Sequence, residues 1–190
     1  VALMLSNDVE MVLLALAINK LGAMWTPINA EYKGEWLLDN LLRCRYKVLV
    51  VDDALQNCVA AVQNKLENET IVLVGDINQS TLNNPIDYES LRTSAALTVR
   101  PSDIGYGDTC SILWTSGTTG KSKGVMQSYN CWVRAIVYGA SKQYNSRDGD
   151  IIYNTLPLYH SAAWITGIYR ALLEGIPCVI EQKFSVTTFW

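Results

Sequence analysis

The sequence predicts an α/β fold: a doubly wound, mostly parallel sheet in layers, with helices on both faces. Two observations carry that expectation. Short apolar runs alternate along the chain with segments of helical periodicity. The alternation forms three consecutive strand–helix repeats within residues 1–75.

The elements follow in order. Residues 1–5 read as a strand; Ser6, Asn7 and Asp8 then offer N-caps for a helix running to Leu21, with Gly22 as its stop. Residues 23–28 are the next strand. Residues 34–44 carry Trp36, Leu37, Leu38, Leu41 and Leu42 as a helical stripe. A strand over 47–51, a helix over 54–66 and a strand over 70–74 complete the subregion 1–75. Over 76–107 periodicity fades while Asn, Asp, Ser, Thr and Pro accumulate, so this stretch reads as a connecting segment. The subregion 108–190 then runs strand, glycine-rich loop, short strand over 124–126, helix over 129–143, strand over 151–154, helix over 163–173 and strand over 177–181.

Composition removes several function classes. The chain has 190 residues, 49% of them hydrophobic, enough for one sizeable core or part of a larger one. A net charge of −3 leaves no basic surface for nucleic acid. The five cysteines are widely spaced and accompanied by one histidine, so they read as reduced core residues of a cytosolic protein and supply no zinc or redox motif. The most apolar segment, 11–21, is interrupted by Asn19 and Lys20 and falls short of the roughly 20 residues a membrane span needs; a buried helix is expected there. The chain opens inside a strand-like run without an initiator methionine and ends on Phe189-Trp190 without a stop signal, as an internal fragment would.

The most informative stretch is 114–125. It sets Thr115, Ser116, Thr118 and Thr119, the glycines 117, 120 and 124, and Lys121 and Lys123 directly after the apolar run 110–113. Glycine lets backbone N–H groups approach closely, hydroxyls donate to phosphate oxygens and lysines supply point charges, which together suit a polyphosphate. Gly120-Lys121-Ser122 matches the second half of a Walker loop, G-x-x-x-x-G-K-[ST], but the position of its first glycine holds Thr115. The spacing therefore disfavours a P-loop NTPase, and the strand that would supply its acidic partner, 48–51 followed by Asp52-Asp53, precedes the loop.

From Ile112 to Lys123 the residues fit another pattern throughout: aliphatic, two variable, [STG]-[STAG]-G-[ST]-[STEI]-[SG]-x-[small or apolar]-[KR]. This resembles the AMP-binding signature of the adenylate-forming superfamily: acyl-CoA synthetases, luciferases and peptide-synthetase adenylation domains. One departure is Ser122, where that family most often has proline. The resemblance extends to Leu156-Pro157-Leu158-Tyr159-His160, which recurs in the family downstream of the loop, and to Lys20–Asn29, similar to the K-x-G-A-x-x-x-P-I-N stretch of acyl-CoA synthetases. Lys183-Phe184-Ser185 followed by Phe189-Trp190 resembles carnitine/crotonobetaine-CoA ligases and fatty-acid transport-type very-long-chain acyl-CoA synthetases.

The resemblance implies a two-step ligase that takes ATP with Mg²⁺, a carboxylic acid and CoA, with no nucleic acid or transmembrane segment. It assigns ATP phosphate binding to Thr115, Ser116, Gly117, Thr118, Thr119, Gly120, Lys121 and Lys123, and the substrate pocket to Tyr159, His160 and Trp164. His160 would position and stabilise charge, because a carboxylate attacking phosphorus needs no proton removed. The family's magnesium-binding glutamate, ribose-binding aspartate and catalytic lysine are expected beyond Trp190, so the chain alone is expected to be inactive. It would then be part of an N-terminal AMP-binding domain of a cytoplasmic, at most peripherally membrane-associated enzyme. A truncated, non-catalytic nucleotide- or acyl-binding homologue is the alternative.

Overall fold

The computed structural model describes residues 1–66, 70–94, 103–115, 122–187 and 189. Its first half is a five-stranded, all-parallel sheet. The strands are β1 (Ala2–Met4), β2 (Thr26–Pro27), β3 (Val48–Asp52), β4 (Thr70–Val74) and β5 (Ile86–Asp87), in the order β2-β1-β3-β4-β5. Helix α1 (Val9–Lys20) links β1 to β2, and α2 (Gly34–Cys44) links β2 to β3. The chain leaves β1 in one direction and returns on its other side as β3. The crevice between these two carboxyl ends is thus the topological switch point, where open α/β sheets bind ligands.

Both faces are covered because alternate side chains point to opposite sides. Leu3, Val50 and Val72 share a core with Met11, Val12, Ala15 and Ile18 of α1. Met4, Leu49, Val51, Ile71 and Leu73 share another with Leu37, Leu38 and Leu41 of α2 and with Val59 and Val62. Of the expected α2 stripe, Trp36 and Leu42 instead face solvent. Helix α1 is capped by Asp8, whose side chain accepts from the Val9 amide, and it stops at Gly22, which has φ 74°. It is only half buried: Leu13 and Leu16 lie on its open side, which corrects the expectation of a buried helix.

The helix expected over 54–66 breaks into α3 (Gln56–Ala60) and a single 3₁₀ turn, Gln63–Lys65. The Gln63 side chain donates to the Asn83 carbonyl (3.0 Å) and accepts from the Asn83 amide (2.8 Å). That long-range pair holds the 3₁₀ turn against the segment before β5. Within 76–107 the chain adds β5 and a short helix α4 (Tyr88–Arg92), whose N-cap Asp87 accepts from the Glu89 amide; residues 95–102 lie outside the described residues.

The second half begins with an antiparallel hairpin, β6 (Thr109–Thr115) and β7 (Lys123–Ser128). A parallel bridge, Trp25 opposite Ser111, fastens β6 beside the approach to β2 through Trp25 N–H to Cys110 O (3.2 Å) and Ile112 N–H to Trp25 O (3.0 Å). Helix α5 (Tyr129–Arg134) continues through a π-helical stretch (Ala135–Ala140) into α6 (Ser141–Gln143). Strands β8 (Ile152–Asn154) and β9 (Cys178–Ile180) pair in parallel across a second π-helical stretch (Ala163–Ile168) and α7 (Tyr169–Glu174). Gly167 is required where α7 is approached: a Cβ there would stand 3.0 Å from the buried Asn154 side chain.

Burial pushes the Cys44 thiol up to about 12 and, with the nearby Glu10 carboxylate, the Tyr88 phenol also to about 12. Between their ordinary values of 9.0 and 10.0 and those raised values, the unfolded chain releases protons that the fold retains. Stability is therefore full below pH 9 and falls as pH rises toward 12. A thermal midpoint that stays level across that range would contradict this.

Candidate functional site

The foot of the glycine-rich loop is positioned by buried polar contacts. Thr26 Oγ1 donates to the Ile112 carbonyl (2.8 Å) and accepts from Trp114 Nε1 (2.9 Å), tying β2 to β6. Asn19 Nδ2 donates to the Cys110 carbonyl (2.8 Å), and Trp132 Nε1 to Ser111 Oγ (3.0 Å). Gly124 lies opposite Trp114; a Cβ there would press on Ile112 at 3.1 Å. Because β6 runs parallel to β2, Thr115 emerges at the edge of the sheet where β1 and β2 also end.

Thr115 and Lys123 face each other across the last rung of the hairpin, and Lys123 is exposed with no carboxylate partner among the described residues. Ser116, Gly117, Thr118, Thr119, Gly120 and Lys121 lie outside the described residues. Ser122 is buried, and its hydroxyl is 3.0 Å from the Tyr32 hydroxyl.

An open cavity of about 710 Å³ occupies the same edge, at the switch point. Leu5, Leu55, Leu156 and Phe184 give it apolar walls, and Ser6, Glu31, Tyr159 and Lys183 supply polar groups. Asp52 Oδ2 accepts from the Ser6 amide (2.5 Å), fixing the crevice between β1 and β3. Asn7, one of three N-cap candidates by sequence, does something else. Its Nδ2 donates to the carbonyls of Leu156 (3.0 Å) and Glu181 (3.2 Å), and its Oδ1 accepts from the Leu158 amide (2.8 Å). One buried amide thus pins the segments after β8 and β9 to the end of β1. Its partners lie 149 to 174 residues away, and only its place between a strand and a helix start hinted at it.

The pocket residues named from sequence separate. Tyr159 lines the cavity. Burial first, then the negative fields of Glu31 and Tyr32, hold its phenol above the usual value, so it stays a neutral donor. His160 does not line the cavity; it follows Tyr159 in sequence and is exposed, closing a turn onto the Pro157 carbonyl (3.0 Å) with its ring 4.6 Å from that of Tyr159. Trp164 is fully buried behind the segment: its Nε1 donates to the Leu158 carbonyl (2.7 Å) and its ring packs 4.6 Å from Trp25. It supports the wall from inside the core. Among the described residues no cluster of His, Cys, Asp and Glu could hold a metal, and no helix is long and apolar enough to cross a membrane.

A sequence model of the family described as AMP-binding enzyme matches residues 1–190. Long-chain fatty acid transport protein 1 of Bos taurus is 30% identical over the whole of this chain, which covers 30% of that protein. Crotonobetaine/carnitine–CoA ligase of Salmonella enteritidis PT4 is 31% identical, again over the whole chain, which covers 37% of it. Among solved structures, the inhibitor-bound N-terminal domain of FACL13 from Mycobacterium tuberculosis superposes with a TM-score of 0.82 at 26% identity, covering 100% of this chain and 45% of that one. The chain thus spans about a third of the length of the curated relatives it matches.

Proposed function

The chain belongs to the AMP-binding enzyme family, and from that premise we propose that it carries the phosphate loop and one wall of the carboxylate site of an ATP-dependent acyl-CoA ligase. In the first step a carboxylate oxygen attacks the α-phosphorus of Mg·ATP and the bond to the pyrophosphate oxygen breaks. In the second, the CoA thiolate attacks the acyl carbon and AMP leaves. Thr115, Ser116, Gly117, Thr118, Thr119, Gly120, Lys121 and Lys123 hold the β- and γ-phosphates. Lys123 contributes a charge that counts most as negative charge builds on the departing pyrophosphate. Tyr159 and His160 border the acid and orient it, and Trp164 keeps their segment in place.

The observation that carries this reading is the shared edge: the loop's foot and the cavity both open where β1 and β2 end, and Tyr32 joins Ser122 to the side occupied by Glu31 and Tyr159. The subregions 1–75 and 108–190 meet there, with 76–107 connecting them. Relatives named for fatty acid transport support a peripheral contact with a membrane. A panel of carboxylic acids screened for AMP release by the full-length gene product, with and without CoA, tests the proposal. At least one acid is expected to drive AMP formation that CoA accelerates; ADP as the nucleotide product would favour a P-loop NTPase instead.

A further inference from the structure

Tyr32 is unused by the reaction described above, yet its hydroxyl hydrogen-bonds, from the connection after β2, to the residue that leads from the phosphate loop into β7. Its own position is fixed locally. The Glu31 amide donates to Asn29 Oδ1 (2.9 Å) and the Tyr32 amide to the Asn29 carbonyl (3.0 Å), while the ring lies 6.5 Å from that of Trp36. The hydroxyl is therefore presented by a preformed turn, and little side-chain freedom is lost in using it. Ser122, its partner, is buried and immediately precedes Lys123.

Serine at this position lacks the restriction on φ that a proline ring would impose. The contact with Tyr32 supplies a restriction of another kind, by tying the side chain to the sheet. We propose that Tyr32 is a positioning residue for ATP: its hydroxyl holds Ser122 so that Lys123 is presented to the phosphates. The proposal rests on the ligase reading for its ligand, though not for its geometry.

In the full-length protein, Tyr32→Phe keeps the ring and removes the hydroxyl. It is expected to lower kcat/KM for ATP by about threefold to tenfold, the range of a single neutral hydrogen bond. The loss appears in kcat/KM for ATP, through kcat as well as KM, while KM for the acid is unchanged. Ser122→Ala does the same, and the double variant is no worse than either single one, because both remove the same bond. Ser122→Pro in the Tyr32→Phe background restores kcat/KM for ATP. A merely structural role would move thermal stability and leave this split and rescue unseen.

Hydrogen exchange of the amides of residues 122–125 without ligand reads the contact independently of any reaction, and Tyr32→Phe is expected to speed it. Unchanged exchange, an unchanged kcat/KM for ATP or additive single effects each overturn the positioning role. Faster exchange in a protein whose wild-type form releases no AMP retires the ligase reading, and with it the assignment of ATP as the ligand that Tyr32 serves.

Discussion

Replacing Lys123 by alanine in the full-length protein is expected to lower kcat/KM for ATP by about 10²- to 10³-fold, the usual consequence of removing one preorganised group that faces developing charge. The reasoning rests on what Lys123 lacks as well as on where it sits. It lies opposite Thr115 at the foot of the loop, exposed, with no carboxylate among the described residues to neutralise it. An exposed, unpaired lysine adds little to folding, so the same substitution should change stability by less than about 0.5 kcal/mol. A large kinetic loss with an unmoved thermal midpoint is the signature. Lys123→Arg keeps the charge but replaces a compact ammonium with a planar fork, and partial activity is expected. If Lys123→Ala left kcat/KM for ATP unchanged, the loop's assignment would fall.

The second large effect is on stability. Asn7→Ala removes three hydrogen bonds at once and strands the amide of the fully buried Leu158. A buried group left without a partner costs about 1–3 kcal/mol, so a loss of about 3 kcal/mol is expected, a sizeable part of a domain's total. Asn7→Asp discriminates further. It retains an oxygen for the Leu158 amide, but sets a negative oxygen against two carbonyls that now stand 3.0 and 3.2 Å from the amide nitrogen. It should be at least as damaging as alanine at neutral pH. Because these bonds shape the cavity wall, both variants should also raise KM for the acid. Calorimetric unfolding of the full-length protein would show the loss, and a midpoint within experimental error of wild type would refute the role given to Asn7.

Much of this was legible from local pattern, and the exceptions share a cause. Helix α2 and strand β4 begin and end where sequence placed them, because a helical apolar stripe marks the first and an uninterrupted apolar run the second. Strand β5 was missed: two residues following a proline carry no periodicity, and only the free edge of β4 recruits them. Helix α3 was drawn too long, and the Gln63–Asn83 pair that holds the 3₁₀ turn after it is invisible to local propensity. At the site, the phosphate loop could be read because its chemistry is packed into consecutive residues. The cavity could not, since its walls come from both ends of the chain and are joined by Asn7. Trp164 illustrates the same limit: sequence places an indole near His160, and tertiary packing decides that it faces the core.

The central claim is that this family member activates a carboxylate by attaching it to the α-phosphate of ATP. Its most direct test follows oxygen through one turnover, using an acid labelled with heavy oxygen in its carboxylate, the full-length protein, Mg·ATP and CoA. The carboxylate oxygen that bonds to phosphorus stays there when the thiolate breaks the acyl C–O bond, so the AMP released should carry one labelled oxygen. Unlabelled AMP, or ADP in its place, would contradict the claim.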